Sequence, residues 1–177
     1  MAPLGPIVTE TLDAVILCDF YNTVPAAGKI LLTNWCGVMS AGVYVNGPCT
    51  GTRAWKGVTC TANRVTRVML NHAGIGGGSL PTSIGGLDAL NYLDLSSNSL
   101  SGSIPSQFGG FTGLNTLYLY SNLVGPVPAS LCNLLYAVTL YIQGNTGLTC
   151  YPSCLTKPPY INLQKDATLT KVCPSGK

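Results

Sequence analysis

LNYLDLSSNSLSGSIPSQFGGFTG runs from Leu90 to Gly113, and LNTLYLYSNLVGPVPASLCNLLY follows it from Leu114 to Tyr136. Laid over one another, Leu90, Leu93, Leu95, Asn98, Leu100, Gly102, Ile104 and Pro105 meet Leu114, Leu117, Leu119, Asn122, Val124, Gly125, Val127 and Pro128. The two segments start 24 residues apart, a period that marks one supersecondary unit repeated along a solenoid. Such a unit buries its apolar face only against its neighbours, so the fold is a stack of turns. A short stack presents a ladder of exposed strands, which favours recognition over chemistry.

The pattern extends both ways. Upstream, RVTRVMLNHAGIGGGSLPTSIGGLDA places Val65, Val68, Leu70, Ile75, Gly77, Leu80 and Pro81 at the repeat positions, with one extra residue in the glycine turn. Downstream, AVTLYIQGNTGLTC supplies Ala137, Leu140, Ile142, Asn145 and Leu148 before the pattern lapses into YPSCLTKPPY and the tail. Atypical end repeats are expected, because the end of a solenoid must be capped. In the segment Leu-x-x-Leu-x-Leu, alternate residues point inward, and each buried leucine contributes roughly 1.5 to 3 kcal/mol by transfer from water. Asn98, Asn122 and Asn145 recur where the chain leaves the strand, the place where a buried amide satisfies backbone groups of adjacent turns. Residues 1 to about 9 read as an extended Pro- and Gly-bearing arm. From Glu10, with Thr9 as cap, Leu12, Val15, Ile16, Cys18 and Phe20 predict an amphipathic helix that stops before Pro25. A second short helix is expected near Lys29 to Trp35.

Composition narrows the function. The chain has 177 residues and a net charge of +3, and only 8% of its residues are charged, against about a quarter in an average domain. The charge is too small and scattered for a nucleic-acid footprint, and no like-charged block supports polybasic membrane binding. No apolar run reaches the roughly 18 residues of a membrane span. The N-terminus has neither a basic region nor a clear apolar core of a secretory signal. Either a signal was removed from the numbering or the chain is a segment of a longer protein. No Asn-x-Ser/Thr acceptor is present.

The eight cysteines, Cys18, Cys36, Cys49, Cys60, Cys132, Cys150, Cys154 and Cys173, are even in number and lie outside the repeat strands. They read as disulfides formed in an oxidising, extracellular compartment such as a cell surface or wall. Cys150 and Cys154 are four apart, but no second close pair and no nearby histidine complete a zinc set. No metal and no cofactor is expected.

The string LxxLxLxxNxLxGxIP resembles the plant-type leucine-rich repeat, the class found in receptor-kinase ectodomains, polygalacturonase-inhibiting proteins and secreted protist or algal proteins. PCTGTRAWKGVTC, from Pro48 to Cys60, is similar to the N-terminal cap of that class. The resemblance implies that Cys49 and Cys60 pair and that Trp55 packs on the first repeat. It also implies that the LCDFYNTV segment, with Trp35, forms the cap helix. Cys18 with Cys36 is the expected second bridge, joining that helix to the next segment. Cys132, Cys150, Cys154 and Cys173 allow three pairings. Aligning YPSCL with IPSQF favours Cys132 with Cys154 and Cys150 with Cys173. The rival pairs Cys132 with Cys150 and ties the tail through Cys154. The expected fold is an α/β solenoid, a short right-handed stack of about four leucine-rich repeats with disulfide-bonded caps. Its divisions are an N-terminal arm and Cys-rich cap over 1–64, repeats over 65–149, and a C-terminal cap and tail over 150–177. The resemblance spans about residues 10 to 155, with far fewer repeats than the plant receptors and inhibitors have.

Catalysis finds little support. The carboxylates are Glu10, Asp13, Asp19, Asp88, Asp94 and Asp166. Only Asp94 falls on the strand ladder, without the second carboxylate that glycoside hydrolysis requires. His72, the single histidine, reads as a turn residue, and no nucleophile-elbow motif exists for a triad with Asp94. The glycine run from Gly74 lacks the lysine of a phosphate loop. The chain is expected not to be an enzyme.

The exposed strand positions are the better candidates. Alternation offers Arg67, Met69 and Asn71 on the first strand, and Tyr92, Asp94 and Ser96 on the second. It offers Thr116, Tyr118 and Tyr120 on the third, and Thr139, Tyr141 and Gln143 on the fourth. Met69, Asp94, Tyr118 and Tyr141 form the middle column. The candidate binding set is Arg67, Met69, Tyr92, Asp94, Tyr118, Tyr120, Tyr141 and Gln143, because tyrosine supplies area, few rotamers and a polar tip. Tyrosines also simply cover sheets beside their cross-strand neighbours. Two roles follow, a structural subunit of an extracellular fibre, sheath or wall and a recognition module. Low charge favours the first, since free soluble domains carry more, although sugars on Ser and Thr would serve the same end. The partner is a protein or further copies of the chain, with a glycan as alternative. A soluble inhibitor- or receptor-like module, or a fragment of a larger ectodomain, is the alternative role.

Overall fold

A computed structural model describes residues 9–36, 39–40, 43–44, 47–49, 55–120, 123–134, 136, 138–157 and 161–174. The chain opens with helix α1 (Thr9–Thr23) and, after Pro25, the single turn α2 (Ala26–Lys29). Two short strands, β1 (Met39–Ser40) and β2 (Val43–Tyr44), pair antiparallel. Strand β3 (Val58–Thr61) then pairs antiparallel with β4 (Arg64–Met69), the first strand of the repeats. From β4 onward the ladder is parallel, through β5 (Tyr92–Asp94) and β6 (Thr116–Tyr118). After β7 (Val124–Pro126) on the flank, β8 (Val138–Tyr141) joins β6. Strand β9 (Gly147–Cys150) pairs with β7, and β10 (Ile161–Gln164) closes the main sheet beside β8. The sheet order is β10-β8-β6-β5-β4-β3. The tail therefore adds a fifth parallel strand beyond the four repeats.

The core is the stack of inward side chains. Val68, Leu93, Leu117 and Leu140 sit side by side in register and are fully buried. The return path of each turn is a short 3-10 helix that begins after a proline, at Thr82–Gly86, Ser106–Gly110, Ala129–Asn133 and Ser153–Thr156. These turns stack so closely that a Cβ on Gly85 would lie 2.4 Å from the Gln107 carbonyl oxygen, and one on Gly109 2.4 Å from that of Ser130. Glycine is what lets the convex side close to the spacing set by the strands.

The asparagine edge forms at the strand exits. Nδ2 of Asn98 donates to the carbonyls of Leu70, Leu95 and Ser96 at 2.6 to 3.1 Å. Nδ2 of Asn145 donates to Leu119 and Ile142, while its Oδ1 accepts the Leu123 N–H at 2.8 Å. Asn122 lies outside the described residues. One position earlier, His72, Ser97 and Gly144 all hold positive φ, at 51°, 55° and 73°. His72 is thus an exposed turn residue.

Both ends are closed by disulfides, Cys18–Cys36 and Cys49–Cys60 in the N-terminal cap, Cys132–Cys154 and Cys150–Cys173 at the other end. The rival C-terminal pairing is excluded. Trp35 and Trp55 are buried with ring centroids 5.4 Å apart, and Trp35 Nε1 donates to the Lys56 carbonyl. Two expectations need correction. Leu12 and Val15 are exposed. They belong to the stripe that also carries Asp19 and Asn22, whereas Asp13, Ala14, Ile16, Leu17, Phe20 and Val24 face the core. Both stripes have helical spacing, and the one that carries Ile16, Leu17 and Phe20 removes more apolar surface from water than one centred on Leu12 and Val15 would. The second helix is only four residues and lies earlier, with turns instead of helix over most of Lys29 to Trp35.

Candidate functional site

The strands fix one continuous surface. Register places Arg67, Tyr92, Thr116, Thr139 and Asn162 in one row, and Met69, Asp94, Tyr118, Tyr141 and Gln164 in the next. Rows are separated along each strand by two residues, and neighbours within a row by the strand spacing of about 4.8 Å. The tyrosines occupy positions from which their rings meet. Tyr92 and Tyr118 touch edge to face at 5.8 Å between centroids, and Tyr118 and Tyr141 lie 4.7 Å apart at 31°. The Arg67 guanidinium carbon sits 4.3 Å from the Tyr92 ring centroid, and its Nη2 approaches the Met69 sulfur at 3.7 Å. The result is a file Arg67–Tyr92–Tyr118–Tyr141 that crosses four strands, straight from Arg67 to Tyr92, diagonally to Tyr118 and straight again to Tyr141.

The other candidates fall differently. Tyr120 is half-buried and makes no ring contact among the described residues, so it flanks the file without joining it. Gln143 is half-buried, and its buried Oε1 finds no donor among the described residues. Met69 remains exposed. Asp94 and Ser96, expected on the open face, are only 7% and 0% exposed. Each is short and stands between longer neighbours. Asp94 Oδ1 accepts the Ser96 N–H at 3.0 Å and the Ser96 hydroxyl. Burial pushes the Tyr92 hydroxyl above its ordinary pKa, and the negative charge of Asp94 pushes it further, while Arg67 pulls it down. Asn162 and Gln164 extend the surface on β10. The alternation in INLQ is the only sequence signal for them, and it follows a Pro-Pro pair in a stretch without repeat residues. Among the described residues no group of three His, Cys, Asp or Glu is arranged to hold a metal, and no helix is long and apolar enough to cross a membrane.

Comparison with known proteins gives the fold its context. Residues 65–124 match the leucine-rich repeat family. No curated protein matches the chain. Among solved structures, the leucine-rich repeat ectodomain of the receptor kinase SOBIR1 from Arabidopsis thaliana is similar with a TM-score of 0.58 at 21% identity, over 81% of this chain and 72% of that one. A chain of the BIR3–SERK2 complex from Arabidopsis thaliana is similar with a TM-score of 0.54 at 22% identity, over 92% of this chain and 100% of that one. PEPR1 in its structure with AtPEP1 is similar with a TM-score of 0.52 at 27% identity, where this chain spans 21% of that one. The period and the stacked parallel strands agree with these matches: residues 65–124 match leucine-rich repeats, and the chain has the fold of a leucine-rich repeat solenoid.

Proposed function

We propose that this chain is an extracellular recognition module that works by contact and not by turnover, with the tyrosine file on its sheet as the contact surface. The carrying observation is that three tyrosines and Arg67 from four successive strands meet ring to ring on an open face. Aromatic anchors at the centre of a patch supply most of the affinity in many interfaces, and stacking holds these rings in place before a partner arrives. Similar folds occur in the BIR3–SERK2 complex and in a receptor kinase in complex with a peptide hormone and a co-receptor, which supports a protein partner. Four disulfides support an oxidising, extracellular setting. In this reading residues 65–149 carry recognition, and 1–64 and 150–177 close the ends.

A second reading is favoured by the 8% of charged residues. A surface so poor in charge suits a structural subunit packed against copies of itself. Sedimentation of the purified chain separates the two, because large ordered oligomers support the subunit and a clean monomer supports the module. The contact surface is tested by immobilising the chain and challenging it with the extracellular protein of its own source. Tyr118→Ala with Tyr141→Ala should abolish association and leave the melting temperature nearly unchanged. Association at wild-type level would move the function to the caps or the convex side.

A further inference from the structure

The described residues bury two carboxylates, Asp13 and Asp94, and treat them differently. Asp13 receives Nε and Nη2 of Arg64 at 3.1 Å each and the Val65 N–H at 2.8 Å. Asp94 receives only Ser96, through one oxygen, and makes no ion pair among the described residues. Taking a carboxylate out of water without a cation is costly, and buried charges are ordinarily paired. The strand itself does not demand a carboxylate here. The same position on the other parallel strands holds Met69, Tyr118, Tyr141 and Gln164.

What surrounds Asp94 suits a cation. Met69 lies beside it on the preceding strand, Tyr118 on the following one, and Tyr92 two residues earlier on the same face. Aromatic faces attract ammonium and guanidinium groups. Tyr92 already carries the Arg67 guanidinium at 4.3 Å, so this wall accepts a cation in the folded chain. Arg67 nevertheless does not reach the Asp94 carboxylate. Nor does the body of the molecule repel a positive group. Residues 1–149 hold five Lys and Arg against five Asp and Glu, which leaves the whole +3 in residues 150–177.

We infer that Asp94 is the counter-charge for a lysine or arginine side chain of the protein partner that docks on this face beside Met69, Tyr92 and Tyr118. This rests on the tyrosine file being the contact surface and names the chemistry that the surface selects. A partner presenting a carboxylate at this point is rejected by like charge, so Asp94 sets specificity as well as affinity.

The test titrates the full chain with a tetra-arginine peptide and, in parallel, a tetra-glutamate peptide, following the tyrosine ring signals by NMR. Tetra-arginine should shift the rings of Tyr92 and Tyr118, weaken as salt is raised, and bind Asp94→Asn at least tenfold more weakly. Tetra-glutamate should not bind. Asparagine keeps an acceptor for Ser96, and the melting temperature of the variant reports whether the fold persists. Arg67→Ala leaves Asp94 intact and removes the competing cation, so it should bind tetra-arginine more tightly. Tetra-arginine binding that is absent, is equal in Asp94→Asn, or weakens in Arg67→Ala overturns the inference. The partner assay separates this from the broader reading. If Asp94→Asn keeps the partner while Tyr118→Ala with Tyr141→Ala loses it, the cation seat falls and the contact surface stands. If both variants keep the partner, both fall.

Discussion

The junction between the cap helix and the first repeat is polar at its centre, whereas the junctions between repeats are apolar with an asparagine edge. At the cap, Asp13 of α1 is fully buried and holds Arg64 and the backbone of Val65, residues more than fifty positions away, while Asp88 accepts from the same Nη2 that also donates to Asp13. The hydrogen bonding that Arg64 donates to Asp13 is the chief reason that Arg64 holds its proton more tightly than a free arginine does. Between repeats, by contrast, leucine meets leucine at the same register position, and the Asn98 amide ties its exit to the Leu70 carbonyl of the preceding turn. A periodic interface can be reused at every turn. An end has no identical neighbour, so it needs a one-off contact, and a bidentate ion pair supplies direction and register that apolar packing alone lacks.

The largest effect should therefore fall on the cap. Asp13→Ala leaves Arg64 and the Val65 N–H without their buried partner and should cost about 3 to 5 kcal/mol, near the lower end because Arg64 keeps Asp88 and is partly exposed. Urea unfolding monitored by tryptophan fluorescence reads this at Trp35 and Trp55. A cost below 1 kcal/mol would mean that the cap is held by its disulfides and rings alone. Leu95→Ala tests the apolar junction and should cost about 2 to 5 kcal/mol, since the turns above and below cannot collapse into the gap. Thermal melts of this variant against Thr116→Ala, on the outward row, check the inward assignment, and a worse outcome for Thr116→Ala would reverse it. Asn98→Ala should cost about 1 to 3 kcal/mol by stranding the carbonyls of Leu70, Leu95 and Ser96. Amide exchange should show the loss concentrated between the first and second repeats. Smallest, Ser97→Gly relieves a left-handed residue, worth about 1 to 2 kcal/mol, against an entropic loss of about 0.5 to 1 kcal/mol. A modest rise in melting temperature is expected, and a fall would show that the Ser97 side chain contributes a contact of its own.

The file of tyrosines was only partly legible beforehand. Alternation around Leu93, Leu117 and Leu140 put Tyr92, Tyr118 and Tyr141 on one face, because the strand period of two follows directly from the inward leucines. It could not tell that Tyr120 stays apart, since ring contact depends on side-chain direction and not on spacing. Nor could it foresee that Asp94 and Ser96 sink beneath their neighbours, because burial of a short polar residue is set by the length of the groups beside it on other strands.

From the order of residues alone came the solenoid, the asparagine edge and the favoured C-terminal disulfide pairing. Each of these is periodic or referred to the period, so one turn informs the next. Folding in three dimensions decided which stripe of α1 faces inward, that Arg64 meets Asp13, that the tail contributes a fifth strand, and which rings touch. These are contacts between segments with no shared repeat, chosen by competition among all the surfaces available. The free energy of such a contact belongs to the pair and is written in neither segment by itself.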